Sequence, residues 1–370
     1  MDRLTISFFG PANSGKSTLV NAIAGQEVSL VSPTPGTTTD PVRKLIELPG
    51  LGPCVLIDTA GLYDSSELGA ERERRTRAVM DETDVAVIVV KSEISPCVSL
   101  SRNDNVIPSE AEASLLSVLS GKGIPTVIYK RGESVESLLE RIAAVRQKEE
   151  ERWLTGALVR PGDCVLLVMP QDSEAPKGRL ILPQVQVLRE LLDRGCTPLC
   201  CTPDSLHAAL ERTTPDLVIT DSQVFGLVNA AIPAGMPLTS FSVLLAGAKG
   251  NLNVFVEGAR AIDSLRPGDR VLIAEACSHV PNTEDIGRVK IPALLRKKMA
   301  GSLIIDIAAG NDFPEDLSPY SLIIHCGACV ATATLVRSRI RKALHAGVPI
   351  TNYGLALAHL KGMLGRVSLP

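Results

Sequence analysis

Leu4-Thr5-Ile6-Ser7-Phe8-Phe9-Gly10-Pro11-Ala12-Asn13-Ser14-Gly15-Lys16-Ser17 decides the reading of the first part of this chain. The apolar run over residues 4–9 has the make-up of a short buried strand. It runs straight into the pattern Gly-x-x-x-x-Gly-Lys-Ser, and residues 16–24 continue with helical spacing. Strand, glycine-rich loop and helix in that order form the setting in which this pattern binds phosphate. Its glycines let main-chain N–H groups turn inward on a β-phosphate. Lys16 brings positive charge to the β- and γ-phosphates, and the Ser17 hydroxyl is a hard oxygen ligand suited to Mg²⁺. Gly10, Asn13, Ser14, Gly15 and Thr18 complete the predicted cradle.

Two further stretches extend this nucleotide reading. Asp58-Thr59-Ala60-Gly61 ends a strand, where Asp58 can hold Mg²⁺ through water and the Gly61 N–H can sense a γ-phosphate. Between the motifs lies Thr34-Pro35-Gly36-Thr37-Thr38-Thr39-Asp40, a segment from which a threonine can close over the metal. Two departures stand out. Leu62 occupies the place of the water-orienting Gln of Ras-like proteins, so turnover is expected to be slow. The strand over residues 125–129 ends in Lys130-Arg131-Gly132-Glu133, without the Asn-Lys-x-Asp that reads guanine. Together the motifs resemble the translation-factor-like GTPases, nearest the potassium-activated TrmE/Era-like subgroup. The resemblance implies GTP as nucleotide, K⁺ held in part by Asn13, and Gly36-Thr37-Thr38 as first switch. It makes Thr38 the Mg²⁺ ligand with Thr37 beside it, and leaves catalysis to Lys16, Thr38 and Gly61.

The rest of the chain continues in the same rhythm. Strands are predicted at 44–48, 54–57, 85–90 and 125–129, then at 165–169, 199–202, 217–220, 241–245, 271–274, 303–307 and 322–324. Helical patterns fall at 135–152, 185–192, 291–299 and 331–346. This alternation predicts an α/β protein: a P-loop GTPase domain over 1–152, then two smaller α/β domains with parallel sheets over 153–250 and 251–370. The Gly247–Gly250 stretch reads as a boundary loop, and no internal repeat is read. The chain has 370 residues with 45% hydrophobic content, enough for a real core and against disorder. A net charge of −3 and 3% aromatic residues argue against a strongly basic or base-stacking nucleic-acid binder. No apolar run is long enough for a membrane span, and the first residues lack a signal-peptide layout. A cytoplasmic protein without membrane or nucleic-acid partners is therefore expected.

Nine cysteines remain to be placed. Cys277-Ser278-His279 follows one predicted strand, and His325-Cys326-Gly327-Ala328-Cys329 ends another. Adjacent parallel strands would bring both loops to one carboxyl edge. On spacing alone, an iron–sulfur cluster, a zinc site and a metal-free structural role all stay open. Cys54, Cys97, Cys164, Cys196, Cys200 and Cys201 are scattered and read as core packing. Asn352 reads as a helix cap or a pocket residue. Asp285, Arg288 and Lys290 position a ligand or form a solvated loop.

The pattern C-x-H, about fifty residues, then H-C-x-x-C resembles the HydF family of FeFe-hydrogenase maturation GTPases. Residues 284–292 (EDIGRVKIP), 347–354 (GVPITNYG) and 34–42 (TPGTTTDPV) resemble it too, so the likeness runs the length of the chain. It implies a GTPase domain, a dimerisation domain and a cluster domain. Cys277, Cys326 and Cys329 would hold a 4Fe–4S cluster, with His279 and His325 beside it as candidate further ligands. The family role would be a homo-oligomeric scaffold. It receives a transient di-iron precursor made with two radical-SAM maturases and delivers it to apo FeFe-hydrogenase. The competing reading is a GTPase of the RNA-modification or ribosome-assembly class with a C-terminal zinc-binding domain.

Overall fold

The computed structural model describes residues 3–11, 13–25, 41–60, 69–90, 110–146, 153–171, 178, 180–276, 285–299, 303–310, 312–329 and 331–370. The chain forms two compact units, Met1–Glu149 and Glu150–Pro370.

The first unit contains β1 (Leu4–Phe9), α1 (Lys16–Ala24), β2 (Val42–Leu48), β3 (Gly52–Asp58), α2 (Gly69–Met80), β4 (Val85–Val90), α3 (Glu110–Gly121), β5 (Thr126–Lys130) and α4 (Val135–Val145). Its sheet runs β2-β3-β1-β4-β5. Every residue of β1 and β4 is buried, as central strands covered on both faces require. β2 is antiparallel to β3, because the link over residues 49–51 is too short for a crossover. Leu19, Val20 and Ile23 of α1 share one face of the sheet with Leu138 and Ile142 of α4. Val79, Met80, Leu115 and Leu119 cover the other face. The helix expected over 135–152 ends at Val145, where Arg146 leaves helical geometry. Residues 147–152 lie outside the described residues.

The second unit holds two four-stranded parallel sheets. The first is built from β6 (Cys164–Val168), α5 (Leu182–Asp193), β7 (Thr197–Cys201), α6 (Leu206–Arg212), β8 (Leu217–Thr220), α7 (Phe225–Ala231), β9 (Leu238–Ser240) and α8 (Phe241–Lys249). The second follows with α9 (Leu252–Arg260), β10 (Arg270–Glu275), a π turn at Ile286–Lys290, α10 (Ile291–Lys298), β11 (Ile304–Ala309), β12 (Leu322–His325), α11 (Ala333–His345), β13 (Ile350–Asn352) and α12 (Tyr353–Leu360). Two expectations are corrected here. Residues 241–245 are helical, because Ser240 caps Val243 N and starts a helix at once. The same helix runs on to Lys249, so the expected loop at 247–250 is mostly helix. A short apolar run does not tell strand from buried helix by its period.

The sheet orders are β7-β6-β8-β9 and β11-β10-β12-β13, one topology used twice. The repeat also stands in the sequence, against the expectation that none is present. Arg160-Pro161-Gly162-Asp163 and Arg266-Pro267-Gly268-Asp269 lead into β6 and β10. In both turns the Asp Oδ2 accepts the Arg main-chain N–H at 2.7 Å. The two glycines have φ of 94° and 91°, a left-handed geometry that favours glycine. Pro237-Leu238-Thr239-Ser240-Phe241 matches Pro349-Ile350-Thr351-Asn352-Tyr353, each a three-residue strand whose last residue caps the next helix. The match is short and spread out, which hid it from a search for tandem similarity. Among the described residues no helix is long and apolar enough to cross a membrane.

Candidate functional site

In the first unit the loop after β1 folds as the glycines dictate. A Cβ at Gly10 would lie 2.5 Å from the Val89 carbonyl oxygen and 3.0 Å from Ser14 Oγ, so only glycine fits. Asn13 takes a left-handed φ of 60°, which asparagine tolerates better than most residues. Ser14 Oγ is buried and has no hydrogen-bond partner among the described residues. Lys16 is 6% exposed, and its Nζ donates to the Gly10 and Pro11 carbonyls at 3.1 and 2.8 Å. The register Phe8↔Asp58 brings the end of β3 to the loop. Ser17 Oγ there donates to Asp58 Oδ2 at 2.6 Å. A hydroxyl and a fully buried carboxylate in contact are a donor pair that Mg²⁺ fits, and the buried Ser14 hydroxyl fits an adjacent phosphate oxygen. Gly15 precedes α1, and Thr18 is exposed on its first turn. Thr37, Thr38 and Gly61 lie outside the described residues.

The end of β5 is closed on itself. The Glu133 carboxylate pairs with Arg141 and accepts from Ser137 Oγ at 3.1 Å. Tyr129 donates to the Glu133 carbonyl at 3.0 Å, and Arg141 Nη1 to the Ile128 carbonyl at 2.9 Å. The one carboxylate in this turn is thereby committed within the protein.

In the second unit β10 and β12 are neighbours, with Ala274 opposite His325. The chain beyond both strands therefore meets at one edge. There Cys326 Sγ accepts two main-chain N–H groups, from Ala276 at 3.1 Å and Ala328 at 3.4 Å. Ala328 reaches this position with a left-handed φ of 52°. Cys329 stands one residue further along the same loop. Cys277 directly follows Ala276 but, like His279, lies outside the described residues. No group of three or more metal-ligating side chains occurs among the described residues alone.

Two buried cations hold this edge, and sequence reasoning missed both. Lys249 is 4% exposed, and its Nζ donates to the carbonyls of Ala328 at 3.0 Å, Cys329 at 3.4 Å and Ala331 at 2.8 Å. Arg339 is 3% exposed. Its guanidinium donates to the Glu275 carbonyl at 3.2 Å, the Gly310 carbonyl at 2.6 Å and His325 Nε2 at 3.0 Å. One side chain thus ties the carboxyl ends of β10, β11 and β12. The available signal was an arginine inside the apolar stripe Val336, Ile340, Ala343 of α11.

His325, a candidate ligand by sequence, has both ring nitrogens engaged in this arrangement. Arginine only donates, so Nε2 accepts, and Nδ1 carries the proton it gives to the Cys326 carbonyl at 2.8 Å. Neither nitrogen keeps a lone pair for a metal. Burial first, then the charge of Arg339, hold its pKa down to about 3 against the opposing bond to Cys326. Asp285 caps the π turn through Arg288 N at 2.7 Å, Arg288 pairs with buried Glu275 at 2.8 Å, and Lys290 bonds Gln223. These three residues are built into the fold rather than solvated. Asn352 caps α12 through Leu355 N at 2.9 Å and also donates to the Ser242 carbonyl at 3.0 Å. Among the remaining cysteines Cys54 and Cys196 are core residues, and burial pushes the Cys54 thiol up to about 11. Cys200 departs from the core expectation: it is exposed, because β7 is an edge strand. Cys97 lies outside the described residues.

The first unit is a P-loop GTPase domain, and residues 5–129 match the family model of the 50S ribosome-binding GTPase. The chain is thus a GTPase fused to a doubled α/β unit. Residues 154–250 match the hydrogen maturase F dimerization domain, and residues 253–370 its tetramerization domain. By these two domains, which together span more than half of its residues, the chain belongs to the hydrogen maturase F (HydF) family. Among curated proteins it is 34% identical over 154 residues to the tRNA modification GTPase MnmE of Methylobacterium sp. (strain 4-46), covering 39% of this chain and 35% of that protein. It is 34% identical over 134 residues to GTPase Der of Kosmotoga olearia, covering 35% and 28%. The chain therefore spans about a third of the length of these relatives. The solved structure of Era from Aquifex aeolicus aligns at 15% identity with a TM-score of 0.29, over 85% of this chain and 97% of that one.

Proposed function

We propose that the chain is a GTP-hydrolysing iron–sulfur scaffold that assembles or delivers a di-iron precursor to apo FeFe-hydrogenase. The observation that carries this reading is Cys326, whose sulfur accepts two main-chain N–H groups at the shared edge of β10 and β12. Such donors stabilise the thiolate, the form that binds iron. Cys277, Cys326 and Cys329 would hold a 4Fe–4S cluster, leaving one iron for an exchangeable ligand. Bound there, the cluster supplies a soft, redox-active attachment point for cargo. Lys249 fixes the loop carbonyls and balances thiolate charge, while Arg339 keeps the strand ends in register.

In the nucleotide unit, Gly10, Asn13, Ser14, Gly15 and Thr18 receive the phosphates. Lys16 exchanges the Gly10 and Pro11 carbonyls for phosphate oxygens. Ser17, Asp58 and Thr38 hold Mg²⁺ with Thr37 next to Thr38, Asn13 helps hold K⁺, and Gly61 senses the γ-phosphate. Nucleotide state then shifts switch segments and with them partner affinity. The dimerization and tetramerization domains support a homo-oligomer as the working form. Radical-SAM maturases and apo-hydrogenase are its proposed partners, in a cytoplasm that keeps thiols reduced.

The test is anaerobic reconstitution with iron and sulfide, followed by EPR of the dithionite-reduced protein. A 4Fe–4S signal in wild type, lost or converted in Cys326→Ser, is the expected result. A colourless protein with stoichiometric zinc would overturn the scaffold reading in favour of the RNA-linked GTPase.

A further inference from the structure

The doubled unit contains its own control for the cysteine edge. In the first copy β9 runs directly into Phe241, and in the second β13 runs into Tyr353. Phe241 is 2% exposed and fills the core of its copy. The two positions therefore share a ring and differ by one hydroxyl. That hydroxyl is not needed to fold the motif, since the first copy builds the same strand, cap and helix without it.

In the second copy the hydroxyl has a definite place. The register His325↔Asn352 puts Tyr353 beside Cys326, one step beyond the paired strands. Tyr353 OH is buried, and among the described residues no group bonds it. Room has been made for it: a Cβ on Gly287 would lie 1.9 Å from this oxygen. An unbonded buried hydroxyl is unfavourable, so a fold that needs only the ring would carry phenylalanine here, as the first copy does. The groups whose charges act on it are Cys326, Glu275, Asp285 and Arg288. Glu275 is already paired to Arg288, and Asp285 accepts the Arg288 main-chain N–H. Of these groups, that leaves Cys326, its neighbour across the register, as the remaining acceptor. At the same position of the first copy, Asp221 stands where the second has Cys326, and Val224 where it has Cys329.

We propose that Tyr353 is a positioning residue of the cluster site, its hydroxyl donating a hydrogen bond to sulfur at the Cys326 corner of the bound cluster. This rests on the cluster reading above. Hydrogen bonds to cluster sulfurs favour the reduced, more negative state and raise the reduction potential. Tyr353 would add a third donor to the two main-chain N–H groups already on Cys326.

The experiment uses the full chain, reconstituted anaerobically, with Tyr353→Phe compared with wild type. The variant is expected to bind iron and sulfide in wild-type amounts and to melt at a similar temperature. Its midpoint potential in an EPR-monitored titration is expected to be lower, with shifted g-values. A second variant carries 2,3-difluorotyrosine at position 353, a stronger donor of the same shape, and its potential is expected to rise above wild type. If Tyr353→Phe fails to hold a cluster, the fluorinated variant decides alone. Potentials and g-values that match wild type in a variant that holds its cluster overturn the proposal while leaving the scaffold reading intact. A wild-type chain that takes up no cluster overturns both.

Discussion

The two halves of the second unit share strand order, entry turn and cap geometry, yet their carboxyl edges differ in kind. In the first copy that edge is finished by Gln184 bonded to Asp221 at 2.9 Å. In the second it carries two cysteines on one loop, buried Glu275 paired with Arg288, Arg339 on His325, and a tyrosine hydroxyl with no partner among the described residues. The shared features are those the fold requires. What differs is chemistry, and in the second copy it is gathered around Cys326 and Cys329. A duplicated scaffold thus separates residues that make the fold from residues that use it, within one chain.

That contrast can be broken most severely at Arg339. Arg339→Met leaves the Gly310 carbonyl and His325 Nε2 without this donor, and the Glu275 carbonyl with only the Gly310 N–H, at an expected cost of about 3 kcal/mol. Urea unfolding of the metal-free protein measures it, and a change below about 1 kcal/mol would mean the strand ends hold without the guanidinium. Lys249→Met removes the donor to three loop carbonyls, with an expected loss of about 2 kcal/mol and faster alkylation of Cys329. Next comes Gly287→Ala, whose new methyl meets the Tyr353 oxygen at 1.9 Å and Cζ at 2.7 Å. We expect a cost of about 1–3 kcal/mol, partly returned by Tyr353→Phe in a double-mutant cycle. Gly178→Ala, at the same spacing before Pro183 as Gly287 before Pro292, meets nothing within 4 Å among the described residues and is opposed by its φ of 96°. Its cost should not respond to Tyr353→Phe. The smallest effect sharpens the likeness instead. Asp163→Ala and Asp269→Ala each remove one turn bond of 2.7 Å and should cost about 0.5–1.5 kcal/mol alike.

The sequence was most legible where local rules and chemistry agree. Gly10 to Ser17 announced its loop because glycine geometry and phosphate chemistry constrain the same residues. Val85–Val90 read as a central strand because it is apolar throughout. Residues 241–245 misled for the same reason, since an apolar run buried as a helix looks no different until its cap at Ser240 is noticed. Cys326 and Cys329 were found by spacing, but what holds their loop was not. Lys249 and Arg339 reach their partners across 79 and 14 positions of sequence, distances at which pattern carries no information. His325 looked like a ligand from its neighbours, and only the Arg339 bond shows why its ring is already spoken for. The duplication is hard to see in the sequence because its matches are four and five residues long and lie about a hundred residues apart.

The course of the backbone through the second unit carries one more consequence. Ser368 exchanges hydrogen bonds with Leu238, its N–H reaching the Leu238 carbonyl at 2.7 Å. Pro370 comes back against Gly156, where a Cβ would lie 2.8 Å from it. The tail of the second copy is therefore laced into the first, and entry and exit of the unit meet at one spot. Such a unit has no natural cutting point between its halves, so a fragment starting after Gly250 would lose both Lys249 and the dock for its own tail. A circularly permuted chain, joined from Pro370 to Trp153 and opened at an exposed turn such as Gly268, would keep all of these bonds.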